Sequence, residues 1–180
     1  VAEGQSLIAP NAAVSANNRV YFMDTGGFYV YSGSAEKLPC TVLDYVLSDL
    51  NLGQSFKIFA AVNNIANEVM WFYPSGTNTE IDKYVLYNYL ENVWSIGTTD
   101  DGFTRTAWDQ ASLLEYPIAA SKNDSSNLNY VYNHEKGHGN DGSNFTAYIE
   151  SSDFDLEPDG DKFTFISKLI PDIQFRNQQS

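Results

Sequence analysis

The sequence predicts a mainly β protein built of antiparallel, blade-like sheets (a partial β-propeller, or a sandwich if the set of blades is incomplete) with one short helix. Three observations predict it. Residues 59–98 contain short runs rich in Val, Ile, Tyr, Phe and Trp, separated by turn-forming residues. The pattern recurs along the chain. The composition, with twelve Tyr and eleven Phe and few periodic runs of Lys, Glu or Ala, favours strands over helix bundles.

Residues 59–62, 68–73 and 83–89 read as strands, and 93–96 as a fourth, with Asn63-Asn64, residues 74–78 and Glu91-Asn92 as turns. Val69, Trp71 and Tyr73 alternate with Met70 and Phe72, and Tyr84, Leu86 and Asn88 alternate with Val85, Tyr87 and Tyr89. Bulky residues on both faces of a period-two pattern predict strands covered on two sides. One up-and-down sheet of about four strands, the size of a propeller blade, follows.

The same order occurs earlier: Ala12-Ala13-Val14, then residues 18–22, then 27–31. A third, weaker copy begins at Ala119-Ala120-Ser121 and continues through 129–133, so the copies start at residues 12, 60 and 119. That spacing is near the roughly 40–50 residues of known blades, with an insertion in the second interval. Between the first two copies, Val42, Val46 and Leu50 fall at helical spacing with Leu43 and Leu47 beside them, which predicts a helix over 41–52. Thr41 is its expected N-cap and Gly53 its expected stop. A strand is expected over Thr104–Trp108, and two more are expected over 145–150 and 162–170, joined by the acidic loop 153–161. The blade-like region is thus expected over 1–144, and 145–180 as a C-terminal β-hairpin segment or the start of another domain. Three blades cannot close a ring of the usual 4–8 or so. Either further chain completes it or the sheets pack as a sandwich.

The chain has 180 residues, of which 43% are hydrophobic, enough for a substantial core. No apolar run approaches the roughly 20 residues of a transmembrane helix, so no membrane partner is expected. The opening Val1-Ala2-Glu3-Gly4 lacks an initiator Met and the layout of a secretion signal, which predicts a fragment or a processed product. The formal charge of −13 repels nucleic acid, so sequence-reading DNA binding is not expected. Cys40 is the only cysteine, which rules out an intrachain disulfide and a Cys-based zinc site.

Two motifs mimic chemistry. His134-Glu135-Lys136-Gly137-His138 matches the HExxH zinc-protease pattern, which needs a helix to set both imidazoles on one face. Here a strand-like NYVYN precedes it, and Gly137, Gly139 and Gly142 disfavour a helix, so an exposed turn is expected. Asp153, Asp155, Glu157, Asp159 and Asp161 resemble a calcium loop, but from Asp155 the twelfth position is Ile166 and Pro158 interrupts the ligand run. Aromatic density invites a sugar-binding reading, and Glu68 with Glu91 a glycosidase pair, but nothing in the sequence sets their separation. No G-x-S-x-G, P-loop or G-x-G-x-x-G is present. The residues therefore point to no catalytic, cofactor or metal site, and an enzyme is not expected.

The segments IAPNAAVSANNRVYFMDTGGFYVYSG, LPCTVLDYVLSDLN, NEVMWFYPS and DKYVLYNYLENVWSIGT resemble, in that order, propeller-containing tail nozzle or hub proteins of short-tailed bacteriophages, often labelled DNA-stabilisation proteins. The closing NFTAYIESSDFDL and DGDKFTFISKLIPDIQF resemble their post-propeller β segment, so the likeness runs from about residue 4 to 175. It implies a non-enzymatic virion component of the tail, assembled as a homo-oligomeric ring beside portal, adaptor and other tail proteins. Such a ring retains packaged DNA and lets it pass without specific binding. The alternative is a glycan- or receptor-binding module at a tail tip.

Overall fold

The strand Glu68–Tyr73 sets the architecture, because both of its faces are apolar and both are covered. Trp71, Phe72 and Tyr73 are all buried. In the computed structural model, residues 6–99, 105–110, 113–123, 128–137 and 168 are described. The chain divides into two compact units, Val1–Lys136 and Gly137–Ser180, and the architecture below belongs to the first. The strands expected at 145–150 and 162–170, the acidic loop 153–161 and His138 lie outside the described residues.

In chain order the elements are β1 (Ala13–Ala16), β2 (Arg19–Asp24), β3 (Gly27–Tyr31) and β4 (Ala35–Lys37), then helix α1 (Leu43–Asp49) and a 3-10 helix (Leu52–Lys57). They continue with β5 (Phe59–Asn63), β6 (Glu68–Tyr73), β7 (Lys83–Asn88), β8 (Val93–Thr98), β9 (Ala107–Asp109), β10 (Ile118–Asn123) and β11 (Leu128–Asn133). The described strands form three antiparallel sheets, ordered β1-β2-β3-β4, β5-β6-β7-β8 and β9-β10-β11. The fold is mainly β, as the sequence predicts.

Asparagine makes the tight turns. Asn17 and Asn18 both adopt positive φ, +49° and +57°, the conformation of a two-residue type I′ hairpin between β1 and β2. The loops 64–67 and 89–92 each end in a left-handed asparagine, Asn67 (φ +60°) and Asn92 (φ +58°). Asn88 Oδ1 accepts from the N–H groups of Leu90 and Glu91, both at 3.0 Å, and so shapes the second of these loops.

The sheets stack face to face. Tyr21, Met23, Phe28 and Val30 of the first sheet share one core with Val69, Trp71, Val85, Tyr87 and Trp94 of the second. Phe28 meets both Trp71 and Trp94 at a centroid distance of 4.8 Å, and Tyr21 stacks on Tyr89 at 6.0 Å. The opposite residues of the second sheet, Ala61, Met70 and Phe72, build a second core with Ile81, against which Trp108 of β9 packs. At the stacking edge β1 lies against β5 and β5 against β9. The Ala60 N–H donates to the Asn11 carbonyl at 2.7 Å, and Trp71 Nε1 to the Ala12 carbonyl at 3.2 Å.

Two expectations need correction, and one strand is additional to those expected. The helix is shorter than 41–52: it spans Leu43–Asp49, with Val42 at the N-cap and no side-chain cap from Thr41. It stops before Gly53 because tertiary hydrogen bonds claim the backbone: Asn51 N–H donates to the Pro74 carbonyl (2.9 Å) and Gly76 N–H to that of Asp49 (2.6 Å). Gly53 instead lies inside the 3-10 helix, its N–H bonded to Asn51 Oδ1 at 3.1 Å. The predicted apolar stripe is nonetheless the buried one, with Val46 fully enclosed and Leu43, Leu47 and Val42 packed on the first core. The strand expected from Thr104 is described only over Ala107–Asp109, with the Thr106 N–H already bonded to the Ala120 carbonyl. The additional strand is β4. Its Ala-Glu-Lys sequence has no strand preference, and pairing with Tyr29, Val30 and Tyr31 creates it.

Candidate functional site

His134 caps the third sheet rather than a helix. Glu135 adopts φ +58° and Gly137 φ +79°, which ends any helical path after the first histidine of the HExxH pattern. The Nε2 lone pair of His134, where a metal would bind, accepts from Arg105 Nε at 2.8 Å. Burial, followed by the Arg105 charge, lowers its pKa to about 4, so the imidazole is neutral at neutral pH. Its ring packs on Trp108 at a centroid distance of 4.6 Å. A neutral imidazole pinned by a guanidinium is a structural corner. Among the described residues no group of His, Cys, Asp and Glu could hold a metal ion.

The two glutamates considered as a catalytic pair occupy unlike settings. Glu68 starts β6, half-buried, and burial raises its pKa, with the Glu135 charge as the second cause. Asn63 Nδ2 lies between these two carboxylates, 3.4 Å from Glu68 Oε2 and 3.5 Å from Glu135 Oε1. Glu91 is exposed in the β7–β8 loop. The carboxylate neighbour of Glu68 is thus Glu135, which sequence spacing did not suggest.

A second polar cluster is mechanical. Lys83 Nζ donates to Asp49 Oδ2 (2.8 Å) and Tyr45 Oη (2.9 Å), and Tyr73 Oη donates to Asp49 Oδ2 (3.3 Å). These bonds raise the Lys83 pKa, and burial followed by the Asp49 charge raises that of Tyr73. They lock α1 onto the second sheet.

Among the described residues, a groove of about 550 Å³ where β1, β5 and β9 lie side by side is shaped to take a ligand. Asn11, Phe56, Lys57, Phe59, Glu80 and Trp108 give it its chemistry. Lys57 and Glu80 form an ion pair at 2.8 Å on its wall. Phe59 is held by stacking on Phe72 (4.8 Å, 11°), and Trp108 by donating Nε1 to the Val62 carbonyl (3.0 Å). Sequence reading missed this set, because its members come from the 3-10 helix, two sheets and two separate loops. The available signal was Phe56, an aromatic outside any strand pattern.

No protein-family model matches the chain, and a search of curated proteins finds no relative. Among the described residues no helix is long and apolar enough to cross a membrane.

Proposed function

We propose that this chain is a structural component of the tail of a short-tailed bacteriophage, in its nozzle or hub, retaining packaged DNA and conducting it at infection. One observation carries the reading: consecutive meander sheets stack through aromatic cores, with their first strands side by side. Repeated blade-like units of this kind build rigid walls, and dense aromatic packing resists deformation. Blades around a common axis are the arrangement a conduit requires. The charge of −13 suits a wall past which duplex slides, because neutralising phosphates with Lys and Arg would instead hold it. In this role the chain works in a homo-oligomeric ring with portal, adaptor and other tail proteins, and its position is in the virion tail.

A second reading, a glycan- or receptor-binding module at a tail tip, draws on the aromatic groove. Imaging the full-length gene product in assembled particles separates the two. Density for stacked four-stranded sheets in a ring beneath the portal is expected. Density at the distal tip, or particles complete without the chain, overturns the conduit role.

A further inference from the structure

We infer that the groove between β1, β5 and β9 binds a neutral saccharide. Its volume of about 550 Å³ falls in the range of small-molecule sites and leaves room for more than one sugar ring. Sugar recognition needs a flat apolar surface for the C–H face of a pyranose and fixed polar atoms for its hydroxyls, and both are present. Phe56 is 64% exposed on the rim, and Phe59 is immobilised by its stack on Phe72. Ala13 and Ala60 also line the groove and carry no side chain beyond Cβ to fill it.

The polar atoms are poised rather than spent. Lys57 holds Glu80 through Oε1 and also donates to the Thr79 carbonyl, which fixes the carboxylate in place. Among the described residues, Glu80 Oε2 and the Asn11 side-chain amide make no hydrogen bond, so both are open to hydroxyl groups.

The charges select a neutral ligand. Lys57 at 2.8 Å already compensates Glu80, so the groove has no surplus negative charge to hold a basic peptide. A phosphate-bearing ligand meets a protein of net charge −13, with the lysine of the groove already engaged. The inference does not depend on where the chain sits in a particle, so it stands or falls separately from the conduit role.

The test uses the whole chain on a glycan array, followed by calorimetric titration with maltotriose, cellotriose, chitotriose, mannotriose and any array hit. A Lys-rich peptide serves as the competing probe. At least one neutral saccharide should bind saturably at one site and perturb Trp108 fluorescence. Phe56→Ala, at an exposed position, should weaken it about tenfold, equivalent to about 1.4 kcal/mol, with an unchanged circular dichroism spectrum. Glu80→Gln should weaken it independently. The inference is overturned if no saccharide binds, if binding survives both substitutions, or if the peptide binds with the Phe56 dependence expected of the sugar.

Discussion

Replacing Trp71 with Phe tests whether the first two sheets are one packed body. Trp71 has no exposed surface, meets Phe28 at 4.8 Å and Trp94 at 6.1 Å, and donates Nε1 to the Ala12 carbonyl. Phenylalanine keeps a ring against Phe28 but removes the pyrrole part of the indole. That lost burial, with the small cavity left, costs about 1–2 kcal/mol. The lost hydrogen bond adds about 1 kcal/mol and no more, because the Ala12 carbonyl still accepts from the Met23 N–H at 3.0 Å. The expected total is about 2–3 kcal/mol, a large part of a typical stability of about 5–15 kcal/mol. Trp71→Ala would remove about 3–5 kcal/mol from the cavity alone and bring the chain close to unfolding. In urea, followed by far-ultraviolet circular dichroism, Trp71→Phe should lower the midpoint by about 1–2 M with an unchanged slope. Phe56→Ala, at a position 64% exposed, is the control and should shift the midpoint little. A Trp71→Phe shift no larger than the control's would show that the aromatic interface carries no load, and the stacked-sheet account would fail.

Three further outcomes are expected. Gly97 faces Tyr84 across the β7–β8 pair, and a Cβ at 97 would collide with the tyrosine ring. Gly97→Ala should therefore cost about 1–3 kcal/mol in urea unfolding, and adding Tyr84→Ala should remove most of that penalty; a neutral Gly97→Ala would refute the contact. His134 has its folded pKa lowered from 6.5 to about 4, so the unfolded chain binds the extra proton first and stability falls as pH drops from about 6.5 towards 4. Full conversion gives about 3 kcal/mol, which solvent screening of the partly open ring reduces to about 1–2 kcal/mol; His134→Gln should flatten that part of the stability–pH curve, and an unchanged slope would rule out the half-buried neutral imidazole. Finally, the purified chain should not retain duplex DNA in a gel-shift assay at about 0.15 M salt, and a retained band that dissolves as salt rises would contradict the sliding-wall account.

The sequence by itself determined the β class, the period-two faces of β6 and β7, the asparagine turns near 64 and 92 and the apolar stripe of α1, while Asn18, expected to lead a strand, turned out to form the β1–β2 turn with Asn17. These are local signals: alternation follows from the pleat, and asparagine tolerates positive φ wherever it stands. Only the tertiary structure decided that Trp71 faces Phe28 while Phe72 faces Trp108, because periodicity separates two faces without saying what covers either. Tertiary contacts also ended the helix at Asp49, where hydrogen bonds to the 74–76 segment outcompete continued helix, and made β4 from residues with no strand preference. The groove was illegible for the same reason. Asn11, Phe56, Glu80 and Trp108 lie far apart in the chain, and the stacking of three sheets is what brings their side chains to one place.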